Sequence, residues 1–314
     1  MEKFLFLVLI FVTSIVIAQP PSNFNSSKNW SLNKKEVFFA VGATQFLSDL
    51  GGRDRIGTQK SPVDIDWVET KMGFGIGYRY RFHPWFSTST QLYAGMLSAD
   101  DANTGEIIRN SRNLSVRTPV LELSQRIEFI LVSREKVGAR YQIAGMSYMR
   151  PKNDQFYLFT GAGVFWFNPQ TKINGQWENL HPLKTEGQGL PGGVDPYSRI
   201  NVSIPFGMGV KLGIGQYWQI GLEVSYHKTF TDYMDDVSTD YYDPEILGAQ
   251  IGPNAVYAAN PAKANHNWFA PGQQRGNPDD NDAFFLANIV LVRNITYPKT
   301  KKTKSVKWKG RTKF

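Results

Sequence analysis

From Ile200 the chain alternates with a period of two. Ile200, Val202, Ile204, Phe206, Met208, Val210 and Leu212 are apolar, while Asn201, Ser203, Pro205, Gly207, Gly209, Lys211 and Gly213 are small or polar. That spacing is a strand with one greasy face. After a short link at 214–216 the pattern restarts, with Trp218, Ile220, Leu222, Val224 and Tyr226 set against Gln219, Gly221, Glu223, Ser225 and His227. Two such strands joined so tightly form an antiparallel hairpin. Each runs past ten residues, longer than most globular strands and matched to the ~9–11 residues of a tilted membrane strand. Tyr217, Trp218 and Tyr226 lie near strand ends, where aromatic girdles sit. The glycine-rich opposite face suits a narrow lumen.

The remaining strands follow the same rule. They are expected at 36–46, 65–82, 85–97, 114–132, 155–167 and 283–297, with loops at 47–64, 98–113, 168–199 and 231–282. In the second, Met72, Phe74, Ile76, Tyr78, Tyr80 and Phe82 oppose Gly73, Gly75, Gly77, Arg79 and Arg81. Phe74-Gly-Ile-Gly-Tyr-Arg79 before Trp85 is echoed by Phe206-Gly-Met-Gly-Val-Lys211 before Trp218. In the fourth, Gln125 is the one polar residue on the greasy face. The connector 133–154 is long where a short turn is expected. The expected fold is therefore all-β: an eight-stranded antiparallel transmembrane β-barrel of the outer membrane. Side chains fill the interior of a barrel that small. Arg79, Glu122, Arg126, Glu128, Lys211 and Glu223 face inward and should pair with one another.

Residues 1–18 read as a signal peptide: Lys3, an apolar run, then Val16-x-Ala18 before Gln19. A periplasmic leader at 19–35, the barrel at 36–297 and a basic tail at 298–314 follow. No apolar run after 18 approaches the ~20 residues of a membrane helix. The formal charge is +8, and the tail alone holds seven lysines and Arg311 with no acid. Everything before the tail is neutral, which argues against a nucleic-acid partner. With no cysteine, disulfides play no part.

The loop before the sixth strand carries Phe167-Asn168-Pro169 and then Leu180-His-Pro-Leu-Lys-Thr-Glu-Gly-Gln-Gly-Leu190. The seventh strand ends in Lys228-Thr-Phe-Thr-Asp-Tyr-Met-Asp-Asp-Val-Ser238. This succession resembles the PorG family of outer-membrane barrels, components of the type IX secretion system of Bacteroidota. The resemblance spans roughly 36–297 and is densest at 156–236. It implies an accessory, non-enzymatic role in protein export and association with a periplasmic ring of the lipoprotein PorK and the protein PorN. It implies no cofactor and no catalytic residue. The runner-up reading is a stand-alone small barrel for envelope stability or surface binding.

Other constellations carry less. His227 faces inward beside Ser225 and near Asp232, a possible nucleophile–base pair. Alternation puts a hydroxyl beside almost any inward histidine, so His227→Ala is expected to leave function intact. Asp232, Asp235, Asp236, Asp240 and Asp243 fit no calcium loop and read as a solvated turn. Gly187, Gly189, Gly192 and Gly193 lack the lysine of a phosphate loop, and their segment is expected to fold over the barrel mouth. With both termini periplasmic, the connector and the tail are the only periplasmic segments large enough for a standard interface. Tyr141, Ile143, Met146 and Tyr148 would supply its apolar core, and Lys301, Lys302, Lys304, Lys307 and Lys309 its charge. Outer-membrane lipid is the remaining expected partner.

Overall fold

In the computed structural model, eight antiparallel strands close on themselves. The structure describes residues 30, 33–50, 68–136, 152–214, 217–263 and 267–296. In chain order the elements are β1 (Lys35–Leu47), β2 (Lys71–His83), β3 (Phe86–Asp100), α1 (Ile107–Arg112), β4 (Ser115–Lys136), β5 (Lys152–Phe167), β6 (Gln170–Ile173), β7 (Gln176–Asn179), β8 (Ile200–Gly213), β9 (Trp218–Thr229), α2 (Pro244–Gln250), α3 (Pro253–Ala259) and β10 (Ala283–Asn294). The ring runs β1–β2–β3–β4–β5–β8–β9–β10 and returns to β1, every pair antiparallel.

The apolar face of each strand points outward. Met72, Phe74 and Ile76 of β2, Leu123 and Ile127 of β4, and Val202 and Met208 of β8 are exposed, Leu123 by 56%. Leaving one such side chain in water forgoes about 1.5–3 kcal/mol. A continuous outer belt of them is stable only against lipid, so the chain is a transmembrane barrel of the outer-membrane kind. Gln125 is the exception on that face, and β3 accommodates it. Its side-chain amide donates to Thr88 Oγ1 at 2.6 Å and accepts from Thr90 Oγ1 at 2.5 Å. The inner glycines make room: a Cβ on Gly77 would run into the Phe38 ring, and one on Gly209 into Tyr157.

Several boundaries differ from the sequence reading. Pairing of β4 with β5 continues through Arg134↔Asp154 to Lys136↔Lys152, after a bulge at Leu131. The bulge breaks the strict alternation, so the strand past it does not look like one in sequence. The connector shrinks to 137–151, which with Tyr141, Ile143, Met146 and Tyr148 lies outside the described residues, as do His266 and the tail lysines. Among the described residues, the strand expected from 65 begins at Lys71, and Glu69 just before it accepts from Ser98 and Asn103. The last strand ends at Asn294 rather than 297. The loop 168–199 contains the β6–β7 hairpin, turned by Asn174 and Gly175, both with positive φ. The loop 231–282 contains α2 and α3, each opening on a proline.

Candidate functional site

The lumen is filled by charge. Arg79 sits at its centre, with Nε 2.7 Å from Glu128, Nη1 3.2 Å from Glu36 and Nη2 3.7 Å from Glu223. Arg126 bonds Glu223 at 2.5 Å and Lys211 bonds Glu36 at 2.7 Å. Tyr157 donates to Glu223 at 2.8 Å, and Ser87 and Ser89 donate to Glu128 at 2.6 and 2.7 Å. All these groups are buried. Five of the six inward charges singled out from the sequence are thus brought together, with Glu36 added; the sixth, Glu122, pairs with His227 instead. Glu36 shares the inner face of β1 with Phe38 and Ala40, a cue that alternation alone contains. Seven strands contribute to this cluster, so it ties the ring across its diameter.

Buried ions need partners, and here they find one another rather than a solute. The purified protein should therefore give no steady conductance in planar bilayers. Large stable openings would contradict a side-chain-filled lumen.

His227 occupies the next level. Its Nδ1 lies 2.9 Å from Glu122 Oε2, and its Nε2 3.0 Å from Ser225 Oγ. Glu122, rather than the expected Asp232, supplies the carboxylate. The order hydroxyl–imidazole–carboxylate is that of a nucleophile relay. Ser225 is only 4% exposed, however, and Phe284 stacks on the imidazole at 4.5 Å. Glu122 is fully buried and also accepts from Ser203 at 2.6 Å. The arrangement holds a buried carboxylate, with the imidazole and Ser203 both hydrogen-bonding its Oε1. His227→Ala would strip Glu122 of a partner and so act on stability, a cost the sequence does not disclose.

Above this level the lumen turns apolar. Phe165, Phe167 and Phe284 from the strands pack with Met234 and Val237 from the loop after β9. Thr118 Oγ1 donates to the Met234 carbonyl at 2.7 Å, fixing this plug in the mouth.

Over the plug the two distinctive loop segments meet. Glu186 of Thr-Glu-Gly-Gln-Gly accepts from the Ser238 amide at 2.9 Å and from the Thr239 amide and hydroxyl at 3.1 and 2.7 Å. Its other partner is Arg275, at 2.8 Å. The same Arg275 nitrogen donates to the Asp236 carbonyl at 2.6 Å. Thr185 and Tyr197 donate to the Asp236 carboxylate at 2.5 and 2.6 Å. Gly187 has φ +71, and a Cβ there would strike the Tyr242 ring. Phe167, Tyr197 and Tyr233 stack in parallel beside this clasp. Arg112 of α1 joins from the side, bonding Asp101 at 2.7 Å and the Arg275 carbonyl at 2.7 Å.

The glycine-rich segment thus folds over the barrel mouth as its sequence suggests. The aspartate run does not behave as a solvated turn: Asp232, Asp235 and Asp236 are buried, Asp243 is half-buried, and of the five Asp240 alone is exposed. Arg275 gave no signal, since nothing in Gln-Gln-Arg-Gly is periodic.

Burial raises the Asp236 carboxyl to about 6, against the opposing pull of Arg275. A carboxyl whose folded pKa exceeds its unfolded value stabilises the fold at low pH. That contribution is complete below about 4 and is lost as pH rises through about 6. The clasp should therefore resist proteolysis better at pH 5 than at pH 7.5, by about 1.4 kcal/mol. Asp236→Asn should flatten this dependence, because asparagine tolerates the φ of +63 and imitates the protonated acid. An unchanged pH profile in that variant would assign the effect to another group.

No protein-family model matches the sequence, and no curated protein matches it. Among solved structures the chain is similar to Ail, the attachment invasion locus protein of Yersinia pestis, solved alone and with the heparin analogue sucrose octasulfate. Identity is 12% and the TM-score 0.34, over 83% of this chain and 99% of Ail. It is also similar to the outer membrane protein OprG from Pseudomonas aeruginosa, at 10% identity and a TM-score of 0.35, over 83% of this chain and 94% of OprG. The fold assignment itself rests on the closed ring of strands and its apolar belt.

Proposed function

We propose that this chain is a non-enzymatic outer-membrane component of the type IX secretion machinery, with both termini in the periplasm and in contact with a PorK/PorN ring. The observation that carries this reading is the clasp. The segments on which the PorG resemblance is most specific, Thr-Glu-Gly-Gln-Gly and Thr-Phe-Thr-Asp-Tyr-Met-Asp-Asp-Val-Ser, interlock through Glu186, Thr185 and Asp236. A generic small barrel has no need of either. The packed lumen adds to this, because it leaves the working parts on the surfaces.

The β4–β5 ladder also fits a periplasmic contact. It continues from Phe86↔Phe129, the last β3 pair, to Lys136↔Lys152. Seven further residues of strand extend roughly 20 Å along its axis. The connector 137–151 follows at its tip, with Tyr141, Ile143, Met146 and Tyr148 as the apolar contact. Lys301, Lys302, Lys304, Lys307 and Lys309 of the tail would steer and reinforce it, in a salt-dependent way. Affinity purification of the full chain from solubilised envelopes tests the reading. Stoichiometric recovery of the ring proteins is expected; recovery of the barrel alone would favour the stand-alone envelope role.

A further inference from the structure

We propose that Arg117, Lys172 and Trp177 form a binding site for the phosphorylated headgroup of a lipid in the leaflet at the loop end of the barrel. On β4 the odd-numbered residues point to lipid: Leu121, Leu123, Ile127 and Phe129 are exposed, and Arg117 continues that row. Arg117 pairs with Gln170 of β6, and Lys172 lies directly opposite Trp177 across the β6–β7 hairpin. Alternation puts Arg117, Gln170, Lys172 and Trp177 on the same outward face.

The site is held in place. The Arg117 guanidinium lies 3.7 Å from the Trp177 ring centroid, and its Nε donates to Gln170 Oε1 at 2.9 Å. Gln170 is fixed in turn by Asn179 at 2.8 Å. This stacking orients the plane of the guanidinium while its two Nη groups stay available for the paired oxygens of a phosphate. Lys172 is exposed and adds a second cation. The one acid of the hairpin, Glu178, belongs to the opposite face, where Asn254 donates to it at 2.9 Å.

Height decides the occupant. Arg117 stands four residues beyond Leu121, the last exposed leucine of the belt, which is roughly 10 Å higher after strand tilt. That is the level of headgroups, where tryptophan and snorkelling cations collect. Trp177, 43% exposed, meets the acyl–headgroup boundary while the cations meet phosphate. Only the naming of the leaflet rests on the proposed orientation; with loops outside, it is the outer leaflet and its phosphorylated glycolipid.

The purified full-length protein would be placed in nanodiscs containing bisphosphoryl lipid A, dephosphorylated lipid A or phosphatidylglycerol, and retained lipid counted by native mass spectrometry. Bisphosphoryl lipid A should be retained at least tenfold better than the other two. Arg117→Gln with Lys172→Gln should erase the preference while leaving resistance to heat unfolding unchanged. Unchanged selectivity in that variant would overturn the proposal. So would equal displacement by millimolar inorganic phosphate, which would mark a free-anion site. Because the chain lacks cysteine, Gln250→Cys with an impermeant maleimide on intact cells reads the orientation separately. Labelling without lipid A preference defeats this proposal alone. No labelling defeats the orientation.

Discussion

Arg79→Met is expected to destabilise the folded barrel by about 3–5 kcal/mol or more, the usual cost of removing one member of a buried ion pair. The size follows from what Arg79 holds. It bridges Glu36, Glu128 and Glu223, carboxylates from three other strands, and lies over the rings of Phe38 and Tyr157 at 4.8 and 5.0 Å. Without it, Arg126 and Lys211 face three buried acids. Methionine fills much of the volume, so lost packing contributes little. The temperature at which the folded band converts to the unfolded band on detergent gels should fall sharply. Adding Glu128→Gln should recover part of the loss, since the two residues share one interaction. If Arg79→Met melts like the parent, the lumen network is not what ties the strands together.

Glu186→Ala should have a comparable effect confined to the loops. Glu186 satisfies two backbone amides, one hydroxyl and the Arg275 guanidinium. Its removal leaves a buried cation whose remaining partners are the carbonyls of Asp236 and Ala259. A loss of about 3 kcal/mol or more is expected, again by the logic of a broken buried pair. Because the clasp lies outside the membrane strands, the barrel should keep its heat resistance. Cleavage within 240–263 by a protease of low specificity should accelerate roughly a hundredfold, tracking the population of open loop. An unchanged cleavage rate would mean that the plug formed by Met234 and Val237 holds the loops without the clasp.

These two sites differ in how far the sequence discloses them. The lumen charges were legible because strand alternation is a rule of parity. Once Phe74 and Phe206 point to lipid, Arg79 and Lys211 must point inward, and a narrow lumen forces them together. Their actual partners follow from stagger between strands, which parity does not contain. Hence the pairing of Glu36 with Arg79 and Lys211, and that of Glu122 with His227, emerge only from the structure. The clasp was legible as unusual composition but not as geometry. Glu186, Asp236 and Arg275 are separated by 50 and 39 positions, counted along the numbering, and no periodicity links them. A buried Asp236 reads in sequence like any aspartate in a turn. The β6–β7 hairpin and α2 are hidden for a different reason: Asn174-Gly175 and Asp243-Pro244-Glu245 are ordinary turn and helix-start signals, each inside a long polar loop with no periodicity to set it apart.

On the proposed reading, function lies on the surfaces rather than in the lumen, and on the periplasmic pole in particular. The direct measurement is quantitative co-purification of periplasmic ring proteins with the full chain, set beside a variant carrying Tyr141→Ser, Ile143→Ser, Met146→Ser and Tyr148→Ser and another lacking 298–314. All three should reach the outer membrane with equal heat resistance. The tail deletion should reduce recovery in a salt-dependent way, and the fourfold variant should abolish it. Undiminished recovery with the fourfold variant would contradict the account and move the interface elsewhere, into the wall of the barrel.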